Sequence, residues 1–225
     1  MIEFDNKLQE DINERESVLF EIERTIFTKR YNLSQKHQDI LATQSISIIY
    51  SIWEGFVQSA FNLYIDEINR FELEIYDFCD EIIIHHMENS FKQFRDYPLK
   101  ESHKIKFFKD LKRLNELDKH NLNRKINTQS NVGFEVLNKL LRTFVLECFN
   151  EHWQAYTYPN PNLKDTMSLF IKLRNTVAHG GDLVSEEKID HDVFIRFKNL
   201  IINLMYEIRL RMINGLVSET YKKKD

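Results

Sequence analysis

Apolar residues recur along most of this chain at the three- and four-residue spacing of a helix with one buried face. In the opening stretch, about Phe4 to Phe27, Leu8, Ile12, Leu19, Ile22 and Ile26 keep mostly to that spacing while charges fill the opposite side, which predicts an amphipathic helix. A second, longer helix is predicted from about Gln35 to Ile68. Ile49, Trp53, Phe56, Ala60 and Leu63 form one stripe and Ile48, Ile52 and Phe61 lie beside it, a width that suits the centre of a bundle. The pattern continues from Phe71 to about Phe94, is cut by Pro98, and resumes more sparsely from about Leu99 to Leu117. Residues 118–133 are polar and rich in Asn, Ser and Thr, and read as a loop. A fifth helix follows to about Phe149, and Tyr156 to Asn162, with Pro159 and Pro161, is a rigid connector. A sixth helix runs from about Leu163 to His179 and is closed by Gly180 and Gly181. The seventh, about Ser185 to Val217, sets Phe194, Phe197, Ile201, Leu204 and Ile208 three and four apart along one seam.

The expected fold is therefore all-α, a bundle of six to seven helices in a single domain over residues 1–225. Five Gly and three Pro are too few for the tight turns of a sandwich or barrel of this length. With 31 Lys and Arg against 35 Asp and Glu, the net charge of -4 excludes binding nucleic acid by bulk positive charge, so any such contact must be local. Cys79 and Cys148 have no CxxC partner, which argues against a disulfide framework or zinc ribbon and fits a reducing cytoplasm. The opening MIEFDNKLQEDINERE lacks the apolar run of a secretory signal. Ile46 to Phe61 is interrupted by Ser47, Ser51, Glu54 and Gln58, short of the roughly 20 apolar residues of a membrane span, so no membrane partner is expected. The lysine-rich tail, Tyr221 to Asp225, is expected to be solvated.

Chemistry concentrates in the sixth helix, in the string Arg174, Asn175, Thr176, Val177, Ala178, His179, Gly180. At about 100° per residue, Thr166, Phe170, Leu173 and Val177 make a core-facing stripe, while Arg174, Asn175 and His179 share an arc of about 140° beside it. Met167, Ile171 and Ala178 lie between the directions of Arg174 and Asn175 and form an apolar strip expected to meet a partner surface. A guanidinium matches a phosphate bidentately, an imidazole moves protons near neutral pH, and an amide orients either. The three together suit phosphodiester chemistry without a metal or cofactor. A structural reading stands beside this one: Arg174 and Asn175 solvated, and His179 capping the last helical carbonyls.

The R-N-x-x-x-H run of Arg174, Asn175 and His179 resembles the signature of HEPN domains. Trp53-Glu54-Gly55-Phe56 and Asn127-Thr128-Gln129-Ser130-Asn131-Val132 extend the resemblance to a bacterial HEPN group named after the MAE_28990 and MAE_18760 proteins. The resemblance implies a helical-bundle endoribonuclease, metal-independent, that works as a homodimer with two motifs facing across a cleft. It also implies a setting in toxin/antitoxin or antiviral defence, with an antitoxin or defence protein as partner and RNA as substrate. HEPN toxins paired with nucleotidyltransferase antitoxins carry a tyrosine two residues beyond the histidine, where this chain has Gly181. A noncatalytic HEPN module that binds RNA or a protein is the other reading.

Among further candidates, Glu54 can orient His179, pair with Arg174, or face solvent. Lys119, Arg124 and Lys125, with His120 and Asn123, form a basic loop able to guide an RNA backbone. Tyr156 and Tyr158 can stack a splayed base. Cys79, Glu81, His85 and His86 hold metal-ligand atoms, but without a second recognisable ligand pair they read as surface residues.

Overall fold

The computed structural model describes residues 1–94, 96–115, 121–129, 131–153, 162–179 and 188–223. Among these are seven α-helices and no strand: α1 (Ile2–Phe27), α2 (Gln35–Asn69), α3 (Asp80–Ser90), α4 (Glu101–Asn115), α5 (Phe134–Thr143), α6 (Leu163–Ala178) and α7 (His191–Val217). The all-α reading holds. α2 is packed by α1, α6 and α7, and α1 and α7 also pack on each other. Ile46, Ile49, Trp53, Phe56, Ala60, Phe61 and Ile65 of α2 are fully buried, and each large apolar side chain so covered contributes about 1.5–3 kcal/mol. By length and composition α2 could cross a membrane; here α1, α6 and α7 pack against it, while Ile40, Leu41 and Ile48 stay exposed. On α7 the predicted seam of Phe194, Phe197, Ile201, Leu204 and Ile208 is wholly buried. Asp190 caps that helix, its carboxylate accepting from the Val193 N–H at 2.9 Å. The expected start at Ser185 falls outside the described residues, but residues 188–190 are not helical.

Two predicted helices come out differently. The third does not run from Phe71: Glu72 takes a left-handed φ of 51°, Ile75–Asp77 form a 3₁₀ turn, and α3 begins only at Asp80. The intervening segment is stitched to the end of the chain instead. The Cys79 N–H donates to the Tyr221 carbonyl at 3.0 Å, Lys223 N–H donates to Asp77 at 2.8 Å, and the Phe71 and Tyr221 rings stack. The tail read as solvated is thus docked as far as Lys223, with Tyr221 buried. The fifth helix stops at Thr143, six residues before the expected Phe149. Val145 enters the left-handed region at φ 50°, and the Leu146 N–H reaches back to the Leu141 carbonyl at 2.8 Å, a Schellman-type closure made without glycine. Buried Asn138 fixes the exit by bonding both the N–H and the carbonyl of Phe149.

Gly55, inside α2, is a point of close approach by a side chain. A Cβ there would lie 3.1 Å from Arg15 Nη1, which donates to the Ile52 carbonyl at 2.8 Å. α4 stands apart from the main core. Its one buried residue among 101–113, Phe107, packs on Phe91, Phe94 and Tyr97 in a satellite aromatic cluster.

Candidate active site

The site is assembled on α2 before α6 supplies its chemistry. The turn that precedes α5 is held by two side chains of α2 one helical turn apart. Tyr50 accepts from the Val132 N–H at 2.8 Å, and the Trp53 indole N–H donates to the Val132 carbonyl at 2.8 Å, both buried. One residue further along α2, Glu54 accepts from the Thr128 hydroxyl at 2.7 Å, and Thr128 is itself buried. The two strings that carried the family resemblance beyond the motif therefore meet in space and bond each other. Glu54 is neither solvated nor paired with Arg174: among the described residues its hydrogen bond goes to the turn.

Arg174 lies against this scaffold. Its guanidinium carbon sits 3.8 Å from the centre of the Tyr50 ring, Nη1 donates to Asn175 Oδ1 at 2.9 Å, and Nη2 donates to Asn131 Oδ1 at 3.0 Å. A ring face and two amide oxygens fix the plane of the guanidinium, which fits recognition of a planar pair of phosphate oxygens. Burial pushes the Tyr50 phenol above its ordinary value, against the Val132 N–H and Arg174, which act the other way, so the ring is neutral at physiological pH. Solvation of Arg174 and Asn175, the structural reading, does not describe them, since both are half-buried and bonded to each other.

His179 is the C-cap of α6. Its backbone N–H donates to the Asn175 carbonyl at 3.1 Å, its side chain is exposed, and no side-chain hydrogen bond of His179 occurs among the described residues. Five residues past Arg174, it lies about 7.5 Å further along the helix axis. The structure thus gathers Arg174, Asn175 and Asn131 into one bonded group and sets His179 at the open end of the same helix. Thr166, Phe170, Leu173 and Val177 are buried, as the wheel required. Met167 corrects the expected partner-facing strip: it is fully buried in the bundle's own core, and Ile171 is partly buried over Gly133, which leaves only Ala178 exposed.

Of the basic loop, Lys119 and His120 lie outside the described residues, as do Tyr156, Tyr158, Gly180 and Gly181. Arg124 pairs with Asp66 at 2.9 Å. Lys125 borders a cavity of about 430 Å³ between α3 and α5, together with Lys139, Arg142, Glu81, Glu88 and Gln129. His85 and His86, read as surface residues, are buried. His85 Nε2 meets the Asn123 carbonyl at 3.0 Å, and His86 Nδ1 accepts the Asn123 N–H at 3.1 Å, so both brace the loop from beneath. Burial holds the His85 imidazole below its ordinary value, and the neutral ring suits this bonding.

The sequence reading missed Tyr50 and the role of Asn131. Tyr50 precedes Trp53 by three residues, the interval that places both on one helix face, and that spacing was the available signal. Nothing in the sequence pairs Asn131 with Arg174 across 43 positions.

The family model of the MAE_28990-like HEPN domains matches residues 4–221. The chain belongs to this HEPN family. HEPN domains are commonly nucleases or RNA-binding modules. Searches of curated proteins and of solved structures find no match to the chain.

Proposed function

We propose that this HEPN chain is a metal-independent endoribonuclease acting in the cytoplasm as part of a bacterial toxin/antitoxin or antiviral defence system. The observation that carries the reading is the Arg174 guanidinium, held by Tyr50, Asn175 and Asn131 on the helix that ends in the exposed imidazole of His179. The substrate's 2′-oxygen attacks the adjacent phosphorus and the bond from phosphorus to the 5′-oxygen breaks. One His179 takes the proton from the 2′-hydroxyl, and a second protonates the departing 5′-oxygen. An imidazole can both accept and donate a proton, so the same side chain serves either role. Arg174 offsets the charge that builds on the phosphoryl oxygens, and Asn175 holds it in place. Each chain brings one motif histidine where the reaction uses two, which supports a homodimeric site; the buried Met167 withdraws the apolar-strip argument for that dimer.

Incubation of the purified chain with labelled single-stranded RNA in excess EDTA tests the proposal. Fragments ending in a 2′,3′-cyclic phosphate and a 5′-hydroxyl are expected. Binding without cleavage assigns the noncatalytic module, and cleavage that depends on added Mg²⁺ overturns the mechanism. A mixed dimer with one His179→Ala chain should be nearly inactive; half of normal activity would point to independent sites.

A further inference from the structure

The net charge of -4 conceals a strongly basic lobe. Over residues 100–113, Lys100, Lys104, Lys106, Lys109, Lys112 and Arg113 face only Glu101 and Asp110, six cations to two anions. In α4 the helical period sets Lys106, Lys109, Lys112 and Arg113 on an arc of about 120°, directed away from Phe107, the residue that anchors the helix. All four are exposed, and none has an ion pair among the described residues. Aromatic rings flank them without being covered: Phe94 is 46% exposed, Phe108 52% and Tyr97 55%. Lys104 sits over the Tyr97 ring at 5.4 Å, and a cavity of about 450 Å³ beside it is lined by Lys92, Gln93, Asp96, Pro98, His103 and Lys106, with Lys92 paired to Asp96 at 4.0 Å.

Unpaired cations on one arc next to exposed rings are what a nucleic-acid strand without fixed sequence requires, phosphates meeting ammonium groups and bases meeting ring faces. An anionic membrane fits less well. The apolar side of α4, at Phe107, is already spent on the aromatic cluster, so the outward face presents mostly charge, with Ile105 and Phe108 among the cations, and has no wide apolar stripe to insert. We propose that α4 and residues 92–94 and 96–99 just before it form a binding surface for single-stranded RNA, separate from the Arg174 and His179 group. The surface binds whether or not the chain cuts RNA.

The test uses the full chain carrying His179→Ala, so that RNA stays intact, and a fluorescent single-stranded RNA whose anisotropy is followed across salt concentrations. Adding Lys106→Gln, Lys109→Gln and Lys112→Gln should weaken binding roughly tenfold or more at low salt and reduce the slope of log affinity against log salt by about 2, the loss of three phosphate contacts. Arginine at the same three positions should restore affinity and slope. Unchanged affinity and slope in the glutamine variant would overturn the proposal. So would failure of the arginine variant to bind, which would mark the lysines as structural. Phosphatidylserine vesicles form the second arm, and loss of vesicle binding with RNA binding intact would assign the face to a membrane. Retained binding in a chain that shows no cleavage in EDTA would sink the nuclease reading and leave this one standing.

Discussion

The turn at 127–129 and 131–133 and helix α4 both lie outside the close packing of α1, α2, α6 and α7, yet they are held by opposite means. The turn is polar in sequence and fixed by hydrogen bonds it shares with Tyr50, Trp53 and Glu54, the first two buried. α4 is amphipathic in sequence and among residues 101–113 buries Phe107 alone, in an aromatic cluster, with Lys106, Lys109, Lys112 and Arg113 exposed. Buried polar contacts position a neighbouring group to within a few tenths of an ångström, whereas exposed charge attracts at a distance and tolerates movement. The first arrangement suits Arg174, which under the proposed function meets a reacting phosphate. The second suits a surface that gathers a strand.

Substitutions separate the two kinds of region. The largest effect is expected at the motif: His179→Ala should lower the cleavage rate by about 10²–10⁴-fold, with the free energy of unfolding changed by no more than about 0.5 kcal/mol, because the side chain is exposed. Arg174→Ala should match it in activity but also lose about 1 kcal/mol, since it removes two hydrogen bonds and the contact with Tyr50. Equal stability of the two variants would mean that the guanidinium is not held by the turn. Next comes the scaffold itself. Trp53→Phe leaves the buried Val132 carbonyl without its donor and should cost about 1–3 kcal/mol in urea unfolding, while Lys109→Gln on α4 should stay within about 0.5 kcal/mol.

The smallest expected effect lies in neither region. Glu23 of α1 feels burial, which raises its pKa, but Lys198 and His191 of α7 outweigh it and hold the carboxyl below its ordinary value. A lowered carboxyl stabilises the fold above its ordinary range and loses that contribution as pH falls through its folded value. Glu23→Gln should therefore flatten the acid side of the stability profile measured below about pH 5, and an unaltered acid limb would remove Glu23 from the account.

The long helices were legible because each shows one apolar face over several turns, and most of the predicted residues of α1, α2, α6 and α7 pack inward, although Ile48 is exposed and Ile22, Ile52 and Leu63 are only partly buried. The breaks were not legible. Glu72 and Val145 take left-handed conformations that usually advertise themselves through glycine, and neither position carries one. At the site, Arg174, Asn175 and His179 were legible as one string. Their support was not, because Tyr50 and Asn131 reach Arg174 from far along the sequence, and Met167 was misread because the bundle's core stripe is wider than the wheel of a single helix suggests.

The docking of Tyr221 onto residues 71–79, and of α7 onto α1, also sets an order of events during synthesis. Helices α1 and α2 leave the ribosome early with apolar faces that α7 covers last, and the segment after α2 gains its partner only when residues 221–223 emerge. Contacts between such distant parts of a chain form late and slowly. A chain made only as far as α6 therefore holds Arg174 and its supporting turn in a bundle that α7 has yet to close, so any capacity to cut RNA would be acquired only once α7 and residues 221–223 have emerged.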